Sequence, residues 1–301
     1  MRLLIIGANG AIGGCAVKSA QESGKFYEIT KPSSSELRLG EGISKEALIR
    51  LGVYDYLILS FGTYGGLKSY SQDDLEIRSH NYWNDIKNIV SDCTDHNSGT
   101  ILISSASVTN QQNFLKSSPY YQYVSEKKAL EEIVVQHTKN SIILRPTNII
   151  SAYENYTRSG HVVASIFRNS FSALNGTKMD VWASPDDWRE FTTDKILEDV
   201  FTNIFTNNFR RSAEPLTFGS GVRTYMSELV KVILKSTKRT KVTPLFTQKP
   251  KNGPNMSEIG TIALEQSGFD LSMPLCPKKR LAEVVSIWVE RELTKQEGDI
   301  S

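Results

Sequence analysis

A chain of 301 residues with 39% hydrophobic and 23% charged side chains can bury a sizeable core, and this balance excludes a disordered protein. The formal net charge is only +2, and the 35 lysines and arginines are spread along the chain. The densest basic stretch, 235–241, is explained by a solvated face. We therefore expect a globular protein without a surface for nucleic acid or for an anionic membrane.

The cysteines and histidines predict neither disulfides nor a metal site. Cys15, Cys93 and Cys276 are too few and too far apart for a disulfide framework, and no cysteine or histidine has the spacing of metal ligands. The apolar run 3–6 is too short for a transmembrane helix or a signal peptide. A reduced, cytoplasmic, metal-free protein is expected.

Strand-like and helix-like segments alternate through the first half of the chain. Apolar runs of strand length occur at 3–6, 26–29, 56–59, 100–103 and 141–144, and segments of helical periodicity lie at 11–22, 44–51, 75–92 and 119–137. Strands covered on both faces by crossover helices are apolar throughout their length, as these are. The pattern predicts an α/β fold, a Rossmann-like doubly wound parallel sheet, over residues 1–150.

The pattern changes after residue 150. Helices are predicted at 161–174, 224–236, 256–267 and 280–294, with short strand-like pieces between them. We expect residues 151–301 to form mainly a smaller C-terminal substrate lobe, with a stretch near 190–225 crossing back to the sheet. Trp288 shares an apolar stripe with Leu281, Val284 and Val285, which predicts a core position. The site should lie between the lobes, at the carboxyl edge of the sheet.

A glycine-rich turn connects the first strand to the first helix. Gly7 permits a tight turn, Gly10 allows a pyrophosphate to approach the backbone, and Gly13 allows the helix to pack closely on the strand. The N–H groups that follow, at Ala11 and Ile12, would hold phosphates together with the helix dipole. The strand–turn–helix context predicts a dinucleotide site, although the spacing is GxxGxxG rather than GxGxxG.

A phenol and an ammonium lie four residues apart on one predicted helix, at Tyr123 and Lys127. The helix is expected to begin with Ser118 as N-cap and Pro119 as its first residue. A lysine within the stripe that continues to Leu130 is costly unless it has a partner or a task. The other charges of this helix lie mostly off that stripe. A nearby cation lowers the pKa of a phenol, so Tyr123 is a candidate acid/base and Lys127 its cationic partner.

Hydroxyls follow the strand that precedes this helix. The apolar run 100–103 leads into Ser104, Ser105 and Ser107, and the carboxyl end of the strand delivers them to the expected site. Ser105 is the candidate for polarising a substrate carbonyl, with Ser104 and Ser107 as alternates. Ordinary turn bonding is the competing explanation for these serines.

Glycine turn, serine strand and Tyr/Lys helix, in this order, resemble the extended short-chain dehydrogenases/reductases, the NAD-dependent epimerase/dehydratase family. The resemblance covers roughly residues 1–290 and includes four further motifs. These are LSFG at 59–62, LRPTN at 144–148, REFTTD at 189–194 and FGSG at 218–221. The later motifs distinguish the extended group from the shorter, one-domain dehydrogenases.

The resemblance implies roles for several further residues. Ser60 and Gly62 would lie under an NAD(P) cofactor, and Asn81 matches an asparagine usual in the superfamily. Asn148 would face the phosphates of a nucleotide sugar, and Arg189 would grip its pyrophosphate. A surface ion pair with one of the neighbouring aspartates is the competing explanation for Arg189.

The resemblance also bears on the choice between NAD and NADP. The acid that usually binds the adenosine ribose falls near Lys31, which is followed by serines at 33–35. A cation among hydroxyls suits a 2′-phosphate, so NADP is favoured over NAD. Glu36 remains a possible ribose partner.

Departures from the family pattern narrow the reaction. The acidic pair of sugar dehydratases is replaced here by Ala106 and Ser107, and no cysteine lies near 104–110, as double epimerisation would need. A 4-ketosugar reductase or a nucleotide-sugar 4-epimerase remains. A non-catalytic dinucleotide sensor is the alternative of another class, and the intact Tyr/Lys pair argues against it.

A homodimer is the last expectation from the resemblance. In the family, helices matching 75–92 and 119–137 pair across a two-fold axis. Tyr82, Ile86 and Ile133 are expected on their outer faces, where they would supply apolar contact.

Overall fold

The computed structural model describes residues 1–37, 39–61, 72–95, 97–113, 119–157, 160–207, 214–247 and 276–298. Within these ranges the chain forms a parallel six-stranded sheet of order β2-β1-β3-β4-β5-β9. Its strands are β1 (Arg2–Ile6), β2 (Glu28–Thr30), β3 (Tyr56–Leu59), β4 (Gly99–Ile103), β5 (Asn140–Pro146) and β9 (Leu216–Phe218). All five strands expected in the first half are present, although β2 begins two residues later than the sequence pattern indicated.

Helices cover both faces of this sheet, as predicted for a doubly wound fold. The helices of this part are α1 (Ala11–Ser23), α2 (Ser34–Leu37), α3 (Lys45–Leu51), α4 (Gln72–Cys93), α5 (Pro119–His137) and α7 (Asp194–Thr206). Along β1, Leu3 and Ile5 pack in the cluster that includes α1 and α7, whereas Leu4 and Ile6 pack in the cluster that includes α3, α4 and α5. Burial on both faces explains why the strand is apolar at every position.

The strand order places a crevice above β1. Because β1 pairs with both β2 and β3, only β2 lies on one side of β1, whereas the commoner Rossmann order has two strands there. The chain between β2 and β3 forms α2 and α3 instead. Successive crossovers therefore run in opposite directions on either side of β1, and ligands of such sheets bind at this reversal, outside the carboxyl ends of the strands.

The chain beyond β5 builds a second layer and also returns to the sheet. α7 packs against α1, and β9 extends the sheet next to β5. The remaining strands are β6 (Asn148–Ile150), β7 (Lys178–Val181), β8 (Trp188–Thr193), β10 (Arg223–Tyr225) and β11 (Thr243–Phe246). They form a three-stranded sheet, β10-β8-β6, and a two-stranded sheet, β11-β7.

Three more helices enclose a separate core. They are α6 (Val162–Ser172), α8 (Met226–Ser236) and α9 (Pro277–Gly298). Trp288 is completely buried, as are Leu281, Val284 and Val285, so the predicted stripe of α9 is confirmed. The helix expected at 256–267 lies outside the described residues. No helix of the described ranges has the length and apolar character to span a membrane.

A buried ion pair joins the two parts of the molecule. Asp194, the first residue of α7, accepts two hydrogen bonds of 2.7 Å from the Arg280 guanidinium of α9. Its carboxylate also accepts the N–H of Ala152, at 2.9 Å. Asp194 has 0% and Arg280 9% of its surface exposed, so the buried carboxylate depends on this guanidinium to stabilise its charge.

One expectation about the outer helix faces was wrong. Ile86 is completely buried in the core between α4 and the sheet, and it is not available to another protomer. Tyr82 stacks on Phe61 with ring centroids 5.7 Å apart, and Ile133 packs partly against the same core. Helical periodicity identifies an apolar face, but here that face is used within the monomer. The homodimer itself stays a prediction.

Removing Arg280 should cost far more stability than removing an exposed lysine of the same helix. Arg280→Ala leaves the Asp194 carboxylate buried without its cation, so we expect the free energy of unfolding to fall by about 3 kcal/mol. Lys278→Ala, which breaks a half-exposed pair with Glu228, should cost less than about 1 kcal/mol. Urea unfolding of both variants measures the difference, and equal losses would contradict a structural role for the buried pair.

Candidate active site

Steric contacts require glycine at both ends of the turn after β1. Gly7 has φ +83°, and a Cβ there would lie 2.0 Å from the carbonyl oxygen of Ser60, at the end of β3. A Cβ on Gly13 would lie 2.1 Å from the Gly7 carbonyl oxygen. The first helix is thus packed directly against the turn, for the reason anticipated from the sequence.

The N-terminus of α1 can accept a phosphate. Gly10 is its N-cap and has an extended backbone, and no side chain caps the helix. A Cβ on Gly10 would meet only the Gly7 carbonyl oxygen, at 3.3 Å, so the outer side of this residue is open. The N–H groups of Ala11, Ile12 and Gly13 belong to the first turn, where helices lack internal acceptors. This cradle fits the pyrophosphate of a dinucleotide.

Lys127 brings α5 onto the ends of two strands. Only 5% of its surface is exposed. Its Nζ donates to the carbonyl oxygens of Phe61, at 3.0 Å, and Ile103, at 3.1 Å. Phe61 follows β3 and Ile103 ends β4. An ammonium has three N–H donors, so these two bonds leave one donor directed to neither carbonyl.

Burial lowers the pKa of Lys127, and the negative charges of Glu126 and Glu131 oppose this change. Both carboxylates are themselves buried, although the sequence pattern placed the other charges of the helix mostly off the buried stripe. Glu131 is held by two bonds from the Arg145 guanidinium of β5. The pattern failed here because β5 supplies a partner that the helix sequence does not reveal.

Tyr123 and Ser105 approach the same edge of the sheet from different elements. Tyr123 is half-buried one turn before Lys127 and packs beside Val108 and Val124. Ser105 follows β4 by two residues, and its Oγ accepts the N–H of Ser107 at 3.2 Å. Because the hydroxyl is used there as an acceptor, its proton can still be donated.

The alternates Ser104 and Ser107 are more enclosed than Ser105. Both are buried, whereas Ser105 is partly exposed. The Ser104 hydroxyl has no hydrogen-bond partner among the described residues. Access to a substrate therefore favours Ser105.

Asn148 and Arg189 lie on one face of the small sheet. Asn148 of β6 is in register with Phe191 of β8, and Arg189 precedes Phe191 by two residues. Alternation along strands places all three side chains on the same face. Arg189 donates to the Trp188 carbonyl at 2.8 Å and forms no ion pair with a carboxylate of the described residues. The surface pair with a neighbouring aspartate is thus not formed.

The end of β2 presents a lysine. Lys31 is exposed directly after the strand. Glu36 is engaged locally, because its carboxylate accepts the N–H of Ser33 at 2.6 Å while the Ser33 hydroxyl accepts the N–H of Glu36 at 3.2 Å. These bonds to Ser33 lower the pKa of Glu36. Its carboxylate thus caps α2 and is less available to a ribose.

The loop before α3 is fastened to α4 by residues whose function the sequence did not reveal. Asn81 donates to the Gly40 carbonyl at 3.2 Å. Asp85 is buried and accepts the N–H groups of Gly40, at 2.7 Å, and Ile43, at 2.6 Å. Asn81 is therefore part of a loop anchor. Gly62 and Ser118 lie outside the described residues.

Comparison with known proteins identifies the fold. No family model and no curated protein sequence matches the chain. Among solved structures, a GDP-6-OMe-4-keto-L-xylo-heptose reductase from C. jejuni is 14% identical, with a TM-score of 0.72 over 98% of each chain. The NAD-dependent NDP-hexosamine 5,6-dehydratase TunA is 17% identical, with a TM-score of 0.70 over 95% of this chain and 97% of that one.

A third structure has the same architecture. A GDP-L-fucose synthetase from Naegleria fowleri bound to NADP is 16% identical, with a TM-score of 0.66 over 97% of this chain and 94% of that one. These likenesses confirm the Rossmann-like fold over nearly the whole chain. At such identities they establish the fold alone.

Alanine substitutions at Gly13 and Gly10 should differ in their cost to the stability of the protein. Gly13→Ala forces a methyl group against the Gly7 carbonyl, so we expect the free energy of unfolding to fall by about 2 kcal/mol. Gly10→Ala, whose methyl group meets only a mild contact, should cost less than about 1 kcal/mol. Chemical denaturation of both variants tests this order, and the reverse order would contradict the packing described.

Proposed function

We propose that the protein is an NAD(P)-dependent oxidoreductase that acts on a nucleotide-linked sugar, and specifically that it reduces a 4-ketosugar. One observation carries the proposal: the buried Lys127 is bonded to the ends of β3 and β4, at the edge where the glycine turn opens. An ammonium in this position joins the candidate acid/base on α5 to the candidate cofactor cradle after β1. A buried lysine with main-chain partners at a ligand-binding edge is typical of a functional site.

The cofactor cradle comprises the glycine turn and the ends of β1 and β3. The N–H groups of the first turn of α1 would hold the pyrophosphate, and Ser60 would lie under the dinucleotide. Gly62 is predicted to lie under the dinucleotide as well. Lys127 would bond the nicotinamide ribose through its remaining donor. The bound dinucleotide would supply the hydride.

Proton transfer is assigned to Tyr123. Reduction of a ketone requires a proton at the carbonyl oxygen, and the phenol is the donor. The Lys127 ammonium, one turn further along α5, stabilises the phenolate that remains. Ser105 donates a hydrogen bond to the same carbonyl oxygen and orients it.

The nucleotide half of the substrate is assigned to Arg189 and Asn148. Their common face supports this assignment, since a guanidinium can bind two phosphate oxygens and an amide can donate to a third. The Arg189 guanidinium has no carboxylate partner among the described residues, which leaves its charge for an anionic ligand.

NADPH is the favoured cofactor. The protein is proposed to act in the cytoplasm as a homodimer. Lys31 is exposed where a ribose-binding acid would usually lie, and Glu36 is occupied by its bonds to Ser33. A cation without a competing carboxylate suits a 2′-phosphate. A reductase must exchange its cofactor at every turnover, and NADPH is the usual reductant of the cytoplasm.

Loss of the Tyr123 hydroxyl should abolish turnover and leave cofactor binding intact. Tyr123→Phe removes only the transferable proton, so kcat with a nucleoside-diphosphate 4-ketosugar should fall by about 100-fold or more while the Kd for NADPH is unchanged. Tyr121→Phe, on the same helix, is the matched control and should retain both. Lys127→Ala should weaken both kcat and NADPH binding. Near-normal turnover of Tyr123→Phe would refute the mechanism.

Reversal of the charge at Lys31 should discriminate between the two dinucleotides. Lys31→Asp should weaken NADPH binding about tenfold without weakening NADH binding, because only NADPH carries the 2′-phosphate. Lys178→Asp makes the same charge change on β7 and should affect neither Kd. Tightly bound NAD in the purified protein, with sugar interconversion that needs no added cofactor, would instead identify a 4-epimerase.

A further inference from the structure

Glu190 is a buried carboxylate immediately beside the candidate substrate arginine. It lies between Arg189 and Phe191 on β8, so its side chain points to the opposite face of the strand. Only 1% of its surface is exposed. A carboxylate in such a place is costly unless hydrogen bonds stabilise its charge.

The segment after β9 supplies such a bond. Glu190 Oε1 accepts the N–H of Gly221 at 2.7 Å. A Cβ on Gly219 would lie 2.3 Å from the same oxygen and 2.6 Å from Thr147 Oγ1, so the carboxylate is packed directly against the glycine backbone. The N–H of Ser220 donates to the Phe191 carbonyl at 3.0 Å. The 219–221 segment is therefore fastened to β8 at two successive points.

The main chain of Glu190 holds the other candidate substrate residue. Asn148 Nδ2 donates to the Glu190 carbonyl at 3.1 Å. The preceding residue, Thr147, bonds through its hydroxyl to that of Thr192 at 2.9 Å. The start of β6 is thus aligned on β8 through Glu190 and Thr192, while Arg189 projects from the adjacent position.

We propose that Glu190 is a positioning residue for the nucleotide half of the substrate. Its carboxylate locks β8 against the 219–221 segment, and its carbonyl orients the Asn148 amide. Together these bonds keep Arg189 and Asn148 in the arrangement that grips a diphosphate. This inference rests on the proposed function and adds a residue that does not itself touch the ligand. It predicts an effect on nucleotide binding and none on the dinucleotide cofactor.

Calorimetric titration with GDP and with UDP tests this role, the tighter ligand being used for the variants. Glu190→Ala should raise the Kd of that nucleoside diphosphate about tenfold, the cost of losing a hydrogen bond to a charged group. The Kd for NADPH should stay within about twofold, because the cradle at α1 is untouched. Glu190→Gln keeps an accepting oxygen and should restore most of the affinity.

Gly219→Ala provides a second, independent disturbance. Its methyl group displaces the end of the Glu190 side chain and leaves the carboxylate in the protein, so it tests the contact even where Glu190→Ala folds poorly. We expect the same rise in Kd. Glu198→Ala is the matched control, since Glu198 is a buried carboxylate of α7 that pairs with Lys18 and Lys195. It should lower Tm and leave nucleoside-diphosphate affinity unchanged.

The outcomes separate the two proposals. Unchanged nucleoside-diphosphate affinity in Glu190→Ala or in folded Gly219→Ala, with normal binding by the unmodified protein, would overturn the positioning role alone. An equal loss of NADPH and nucleotide affinity would also overturn it, because it indicates general destabilisation. Failure of the unmodified protein to bind either nucleoside diphosphate would overturn the positioning role together with the proposed function.

Discussion

The buried pair of Asp194 and Arg280 is the constraint on which the arrangement of the whole molecule depends. Asp194 is the first residue of α7, which packs against α1 beneath the glycine turn. Its carboxylate binds Arg280 of α9, the helix that closes the second core. It also takes the N–H of Ala152, just after β6. Since β8 ends at the preceding residue, one carboxylate fixes where the small sheet meets the large one.

A second buried charge organises the crevice itself. The Lys127 ammonium is bonded to the ends of β3 and β4, and β3 lies directly beside β1, which the glycine turn follows. Its burial would favour the neutral amine, but Glu126 and Glu131 oppose that tendency. The two carboxylates thus favour the charged amine, and Glu131 is itself held by Arg145. The same arrangement suits a residue that must lower the pKa of a neighbouring phenol.

The two halves of the candidate site are held by different means. The proposed dinucleotide cradle is made of backbone, and its shape follows from Gly7 and Gly13, which no larger residue can replace. The proposed nucleotide half is made of side chains on the small sheet, where hydrogen bonds of Glu190, Thr147 and Thr192 connect β6, β8 and the 219–221 segment. Backbone sites tolerate little sequence change, whereas side-chain sites can change specificity. This division is consistent with solved structures that share the fold at 14–17% identity and yet differ in the reactions they are named for.

The sequence by itself determined the features that depend on local contacts. The glycine turn, the bounds of α5 and the two-sided burial of β1 follow from steric exclusion, helix periodicity and strand alternation, all of which act over a few residues. Only the tertiary structure decided which elements meet. Arg280 pairs with Asp194 from 86 positions away, Glu131 finds Arg145 on another strand, and Ile86 turns inward instead of toward a second protomer. Glu190 is buried because the 219–221 segment, distant in the chain, packs on its carboxylate. Periodicity specifies which face of an element is apolar, but the partner across that face is chosen by packing between segments that are distant in the chain.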